Sequence, residues 1–392
     1  MPPAASGARA AQTRRAGLLS HAKNIYHLAV KEFRSIFADP MMLLLVIYSF
    51  SFAVYTVATG ASTEAKDLTI GVVDEDHSGL SRQLFNALIP PLIKRSVLIS
   101  ANEIDANMNN DRLIFVLEIP ARFETDLLAG RQTSLQLNVD ATAMTQAGNG
   151  AIYIQNIIAQ EVAKFQAGSE AAVRTPVSFV ITSKFNPNLY SSWFSSVMQV
   201  VNNITMLVVI LTGAALIRER EQGTVEHLLV MPVVPAEIML AKIITNGLVI
   251  LIAAGLSLVV VVQWWLQVPI AGSLTLFLGG AALYAFTVAA LGILLGTETT
   301  SMGQFGLLAI PVLVVMQLLS GGATPMESMP VWLQYVMQII SPTPHFVAFA
   351  QAILYRGADF SIVWPWLLAM AAIGSVYFAF SLRRFRRVIF GD

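Results

Sequence analysis

The chain has 392 residues, 55% of them hydrophobic and 12% charged, with no net charge at pH 7 and no cysteine. Charged residues make up about a quarter of an ordinary soluble chain; half that share, concentrated in a few segments, excludes one large soluble core. Zero net charge excludes a bulk attraction to nucleic acid, and the lack of cysteine excludes disulfides, thiolate metal sites and thiol nucleophiles.

Residues 1–21 are rich in Ala, Pro and Gly and carry Arg9, Arg14 and Arg15. No apolar run follows them directly, so they read as a basic cytoplasmic tail and not as a cleaved signal peptide. Residues 22–38 place Ile25, Leu28, Ala29, Phe33, Ile36 and Phe37 at helical spacing among Lys23, Lys31 and Arg34. That pattern predicts an amphipathic helix on the cytoplasmic membrane surface. Residues 41–59, within a segment 39–60, form the first uncharged run near the ~20 residues a helix needs to cross a bilayer.

Residues 61–193 look like soluble sequence. A β-branched run at 68–73 ends in Asp74-Glu75-Asp76, and a helical stretch covers 81–92. A second strand covers 113–119, a short helix 121–129, a third strand 134–139 and a longer helix 151–165. The alternation predicts a small α/β domain between the first and second spans. Further apolar runs cover 194–217, 243–262, 274–295, 303–319 and 363–382, and residues 383–392 form a second basic tail.

The basic residues of both tails and of the amphipathic segment fall on one side with six spans, together with Arg218, Arg220 and Lys242. By the positive-inside rule both termini are then cytoplasmic. Trp264, Trp265, Trp364 and Trp366 mark the outer interface. The predicted fold is an α-helical polytopic membrane protein with six transmembrane helices, N-in and C-in, carrying an inserted α/β extracytoplasmic domain.

The residues bear on four classes of function. No G-x-x-x-x-G-K-[ST] loop is present, which argues against ATP hydrolysis by this chain. The spans are nearly free of ionisable residues, so the usual sign of an ion-coupled secondary transporter is missing, although backbone carbonyls keep that alternative open. Glu298, in the turn between spans four and five, reads as a solvated carboxylate. Ser320 and His345 are a conceivable protease pair with nothing to fix their geometry. A non-transporting sensor or scaffold would need a cytoplasmic output segment, and no cytoplasmic stretch is long enough.

Residues 217–242 read IREREQGTVEHLLVMPVVPAEIMLAK. Thr224 is a plausible N-cap for a short helix starting at Val225. The segment reads either as a short surface helix between two spans or as a solvated loop at the bilayer edge.

This segment resembles the cytoplasmic E-R-E-x-G-T-x-E-x-L-L-x-x-P signature of ABC-2 type permeases, of the bacterial multidrug-exporter kind. The matching residues are Glu219, Arg220, Glu221, Gly223, Thr224, Glu226, Leu228, Leu229 and Pro232. LSGGATPMESMPVW at 319–332 and SPTPHFVAFAQAILYRG at 341–357 look like that group's outer re-entrant region. IPARFETDLLAGRQTSLQLNVDAT at 119–142 is similar to part of its external domain. The resemblance runs from about residue 22 to the C-terminus.

The resemblance implies a permease subunit in the bacterial inner membrane, paired with itself or a paralogue and served by separate ATPase subunits. No cofactor belongs to this chain; ATP and Mg would sit on the ATPase. The ATPase-coupling contact would use Glu219, Arg220, Glu221, Gly223, Thr224 and Glu226, with the helix at 22–37 as a second contact. An outer gate within 320–361 would use Ser320, Gly321, Gly322, Pro325, Met329 and Pro330. The domain at 61–193 would receive substrate or dock a periplasmic adaptor leading to an outer-membrane channel. Membrane lipid surrounds the spans, no nucleic acid is involved, and the implied cargo is a hydrophobic or amphipathic, drug-like or lipid-like compound.

Overall fold

The computed structural model describes residues 5–60, 68–89, 93–110, 112–140, 144–166, 190–223 and 233–390. The chain divides into two compact units, Met1–Ala61 with Ser192–Asp392, and Ser62–Ser191.

Helix α1 (Ala5–Ala38) is longer than the amphipathic segment read from the sequence and continues back through most of the expected tail. The tail's Ala, Arg, Gln and Leu residues are good helix formers. The inward face of α1 carries Leu28, Glu32 and Ile36 at four-residue steps, whereas Tyr26, Phe33 and Phe37 point outward. Asp39 starts the next helix: its carboxylate accepts from the amides of Met41 and Met42 at 3.1 and 3.2 Å, and Pro40 occupies the first helical position.

The first span is α2 (Pro40–Phe50) followed by α3 (Phe52–Gly60), broken at Ser51 where φ is −118° and ψ −80°. Asn203 donates to the Ser49 carbonyl at 2.5 Å, so an inserted side chain supports the break.

The Ser62–Ser191 unit contains β1 (Leu68–Asp74), α4 (Gly79–Ala87), β2 (Ile93–Leu98), α5 (Ile104–Asn109), β3 (Phe115–Ile119), α6 (Phe123–Leu128), β4 (Gln136–Val139) and α7 (Met144–Gln166). The strands form one sheet of order β2-β1-β3-β4, with β1 parallel to β2 and β3 and β4 antiparallel to β3. Ile70, Val72, Phe115 and Leu117 pack against Leu80, Leu84 and Ile154, while Val73 and Val116 meet Ile99, Ile104 and Met108 on the other face. Strand β2 was missed by the sequence reading. Its Lys94 and Arg95 are exposed, as suits an edge strand, and they hide the alternation.

The chain then forms α8 (Ser191–Glu221), α9 (Pro235–Leu256), α10 (Leu274–Thr297), α11 (Met302–Leu318), α12 (Val331–Ile340), α13 (Thr343–Leu354) and α14 (Phe360–Phe385). A π-helical stretch, Ser257–Trp265, prolongs α9. Helices α8 and α10 approach closely at glycines: a Cβ on Gly292 would lie 2.6 Å from the Val209 carbonyl oxygen. Tyr284 of α10 is fully buried and hydrogen-bonds Thr205 of α8 at 2.8 Å and Thr343 of α13 at 3.2 Å.

Among the described residues, five stretches are long and apolar enough to cross a membrane: Pro40–Gly60, Ser191–Glu221, Pro235–Trp265, Leu274–Thr297 and Phe360–Val388. The fifth span expected from the sequence is α11, with 17 residues and an internal Pro311. Its length of about 26 Å falls just short of a hydrocarbon core of about 30 Å. The third span begins at Pro235 rather than after Lys242, so Glu237 and Lys242 lie inside the helix and are buried. The expectation of nearly charge-free spans is corrected there.

Candidate functional site

Helix α8 has 31 residues and measures about 46 Å, well beyond the hydrocarbon core. Its last turn holds four consecutive charged residues, and each reaches a different part of the membrane unit. Arg218 pairs with Asp39, the cap of α2, at 3.1 Å. Glu219 pairs with Lys31 of α1 at 3.2 Å and with Lys242 of α9 at 2.9 Å. Arg220 donates to the Thr299 carbonyl at 2.6 Å, just past α10. Glu221 accepts from the Met302 amide at 2.9 Å, where a carboxylate meets the positive end of α11.

Lys242 is the centre of this cluster. Its side chain is 2% exposed, and its ammonium also lies 2.9 Å from the Glu32 carboxylate. A buried charge is tolerable only when paired. Here two carboxylates flank the buried ammonium, and Lys31 at the rim brings the four-residue set to neutrality. Thr245 adds a hydrogen bond of 3.2 Å to the Ala29 carbonyl, so α1 and α9 are joined beside the cluster.

Two further ties lie at the same end of the bundle. Glu237 accepts from the Val234 amide at 2.9 Å, closing the start of α9, and from His21 of α1 at 2.5 Å. Arg384 of α14 binds Glu298 through two parallel contacts of 2.5 and 2.8 Å. The Arg384 hydrogen bonds hold the Glu298 carboxyl below its ordinary 4.5, against a smaller opposing effect of burial. Glu298 stays exposed at the end of α10, as read from the sequence, and in addition ties α10 to α14.

Among the sequence-derived coupling residues, Glu219, Arg220 and Glu221 come together at the end of α8 and engage the chain's own helices. Gly223 follows with φ of +68°, the left-handed stop that favours glycine. Thr224 and Glu226, with the short helix expected from Val225 onward, lie outside the described residues. Sequence reasoning missed Lys242, Glu32, Glu237 and His21. One signal was available: Glu32 stands midway between Leu28 and Ile36 on the apolar face of a predicted helix.

At the opposite end, Ser320, Gly321, Gly322 and Pro325 line a pocket of ≈550 Å³ with Phe194, Met326, Glu327, Pro344, Val347, Gln351, Arg356 and Trp366. Gly321 takes φ of +85°. The Ser320 hydroxyl is buried, donates to the Gln317 carbonyl at 2.7 Å and accepts from the Gly322 amide at 3.1 Å. Met329 is buried in the same loop and Pro330 caps α12, outside that lining. His345 bonds the Gln338 carbonyl at 2.7 Å and not Ser320, so the conceivable protease pair is not formed. Among the described residues no group of three His, Asp or Glu side chains is placed to hold a metal ion.

The long apolar helices define a multi-pass membrane protein. Residues 40–383 match the family model described as ABC-2 family transporter protein, and the chain belongs to that family. It is thus a membrane transport subunit of an ABC transporter and not itself a catalyst, and the family implies an ABC ATPase as partner. The chain is 49% identical over 371 residues to the inner membrane transport permease YhhJ of Escherichia coli K12, covering 95% of this chain and 99% of that protein. It is 28% identical to the probable multidrug ABC transporter permease YbhR of the same organism, covering 92% and 98%. The probable multidrug ABC transporter permease YbhS is 25% identical, covering 86% and 89%.

Proposed function

We propose that this chain is the permease subunit of an ATP-driven exporter that moves a hydrophobic or amphipathic compound outward across a bacterial inner membrane. In this reading the ion-paired end is cytoplasmic, α11 completes a set of six spans, and residues 61–193 lie outside. ATP and Mg bind a separate ATPase, and a second permease subunit, the same chain or a paralogue, completes the substrate path. The outer loop at 320–361 forms the gate. The external domain receives substrate or docks an adaptor and outer-membrane channel. The names of the relatives, inner membrane transport permease and multidrug permease, support the location and the cargo class.

One observation carries the reading. The turn Arg218–Glu221 grips α1, α2, α9, the end of α10 and the start of α11 at once. A force applied to the segment after Gly223 therefore reaches several helices through rigid, short contacts. Thr224 and Glu226 are the residues assigned to the ATPase surface, whereas Glu219, Arg220 and Glu221 fix the lever to the bundle.

The test is the Glu219→Ala, Glu221→Ala double variant in the assembled complex. The expected result is normal membrane insertion with loss of substrate-stimulated ATPase activity or of ATPase co-purification. If both properties survive at wild-type level, the coupling role is wrong.

A further inference from the structure

The pocket at the end opposite the ion cluster carries two exposed charges of opposite sign. Arg356 follows α13, and Glu327 sits in the loop between α11 and α12. Among the described residues neither side chain has an ion-pair or hydrogen-bond partner, although both line the same ≈550 Å³ space. The volume falls within the range of ligand pockets, roughly 300–1,000 Å³. Much of the remaining wall is apolar, with Met326, Val347 and Trp366 prominent.

The wall is firm where it meets the helices. Tyr355 donates to the Phe194 carbonyl at 2.9 Å and stacks on the Phe194 ring at 5.9 Å between centroids. Gly322 lies so close to Met198 that a Cβ would come within 3.2 Å of its sulfur.

The depth of the pocket points to lipid. Phe194 and Trp366 belong to the ends of α8 and α14 away from Arg218 and Arg384. Next to the loop, α12 turns Trp332, Tyr335 and Ile339 outward, at 67%, 63% and 73% exposure. Aromatic and aliphatic residues exposed together on a short helix suit the headgroup boundary. A purely anionic headgroup would satisfy Arg356 and be repelled by Glu327. A zwitterion satisfies both, and discrimination comes from the repulsive member of the pair.

We propose that this pocket binds the headgroup of a zwitterionic aminophospholipid, with the phosphate at Arg356, the primary ammonium at Glu327 and the chain tops against Met326, Val347 and Trp366. The proposal rests on the outward orientation given above and assigns a ligand class to the outer gate.

The experiment uses the full chain with its ATPase in nanodiscs, with phosphatidylethanolamine or phosphatidylglycerol retention measured by native mass spectrometry during stepwise delipidation. The wild type should retain phosphatidylethanolamine about tenfold better than phosphatidylglycerol. Glu327→Gln should erase that preference, and Arg356→Gln should lower retention of both lipids. Equal retention by the wild type, or an unchanged preference in Glu327→Gln, overturns the proposal. Displacement of the lipid by soluble glycerophosphoethanolamine at millimolar concentration overturns the lipid assignment in favour of a soluble zwitterion; its failure to displace supports the lipid. Because the chain has no cysteine, Glu327→Cys gives a single labelling site. In sealed vesicles of known orientation, labelling by an impermeant maleimide from the cytoplasmic side alone overturns the orientation and the headgroup site together. Labelling of Glu327→Cys from outside, with equal retention of the two lipids by the wild type, overturns the headgroup site only.

Discussion

Replacing Lys242 with Met keeps most of the apolar stem and removes the ammonium. That ammonium lies 2.9 Å from Glu32 and 2.9 Å from Glu219. At an effective dielectric of about 20 each contact has a gross attraction of about 6 kcal/mol, most of it offset by the dehydration of three charges. Removing only the ammonium leaves two carboxylates facing one another, with Lys31 at the rim as the remaining cation of the cluster. The expected loss of stability is about 3–5 kcal/mol. Neutralising the whole centre, as Lys242→Met with Glu32→Gln and Glu219→Gln, removes the uncompensated charges and should recover most of that loss. Thermal unfolding of the purified permease–ATPase complex reads both. The single variant should melt well below the wild type and the triple variant close to it, while the triple variant loses substrate-stimulated ATPase activity. A single variant that melts with the wild type and keeps that activity would show that the cluster does not hold α8 to α1 and α9.

Two other perturbations separate packing from charge. Gly292→Ala would place its Cβ 2.6 Å from the Val209 carbonyl oxygen and 3.1 Å from Val209 Cα, so backbone must move. The expected loss is about 1–3 kcal/mol, whereas Gly303→Ala meets nothing within 4 Å and should melt with the wild type. The Glu298–Arg384 tie has a pH signature. The folded-state carboxyl titrates below its ordinary 4.5, so the stabilisation is full above that value and is lost as pH falls through the depressed folded value. Because both side chains are more than a third exposed, solvent screens most of the attraction and the effect is small. Melting profiles between about pH 7 and pH 3 should therefore converge for the wild type and Glu298→Gln at the acid end.

The spans were legible because a bilayer demands long apolar runs. The start of the third span was not. Helix α9 starts at Pro235 because Glu237 can cap its own helix and Lys242 finds two carboxylates, and neither fact is local to the sequence. Glu219 meets Lys31 across 188 positions and Lys242 meets Glu32 across 210. A run such as Arg218–Glu221 announces charge, but its partners appear only once the helices are packed. The loop at 320–361 shows the same limit. Ser320, Gly321, Gly322 and Pro325 converge on one pocket, whereas the charges that give it chemistry, Glu327 and Arg356, stood outside the resemblance-based gate set.

The two ends of the membrane unit are linked by hydrogen bonds made in a place where water cannot replace them. Helix α8 ends in the ion cluster and, further back, presents Thr205 to Tyr284 of α10. Tyr284 in turn bonds Thr343, the first residue of α13. Two further residues of α13, Pro344 and Val347, line the pocket beside Ser320. In a dry interior an unmatched hydroxyl costs more than it would at a wet surface. A rigid shift of α8 must therefore either break the Thr205–Tyr284 bond or carry α10 and the start of α13 with it. The closeness of Gly292 to the Val209 backbone leaves little slack for sliding between α8 and α10. In the proposed coupling role, an axial push at Gly223 would reach the pocket wall through packed backbone and two buried hydrogen bonds, with the ion cluster supplying the grip.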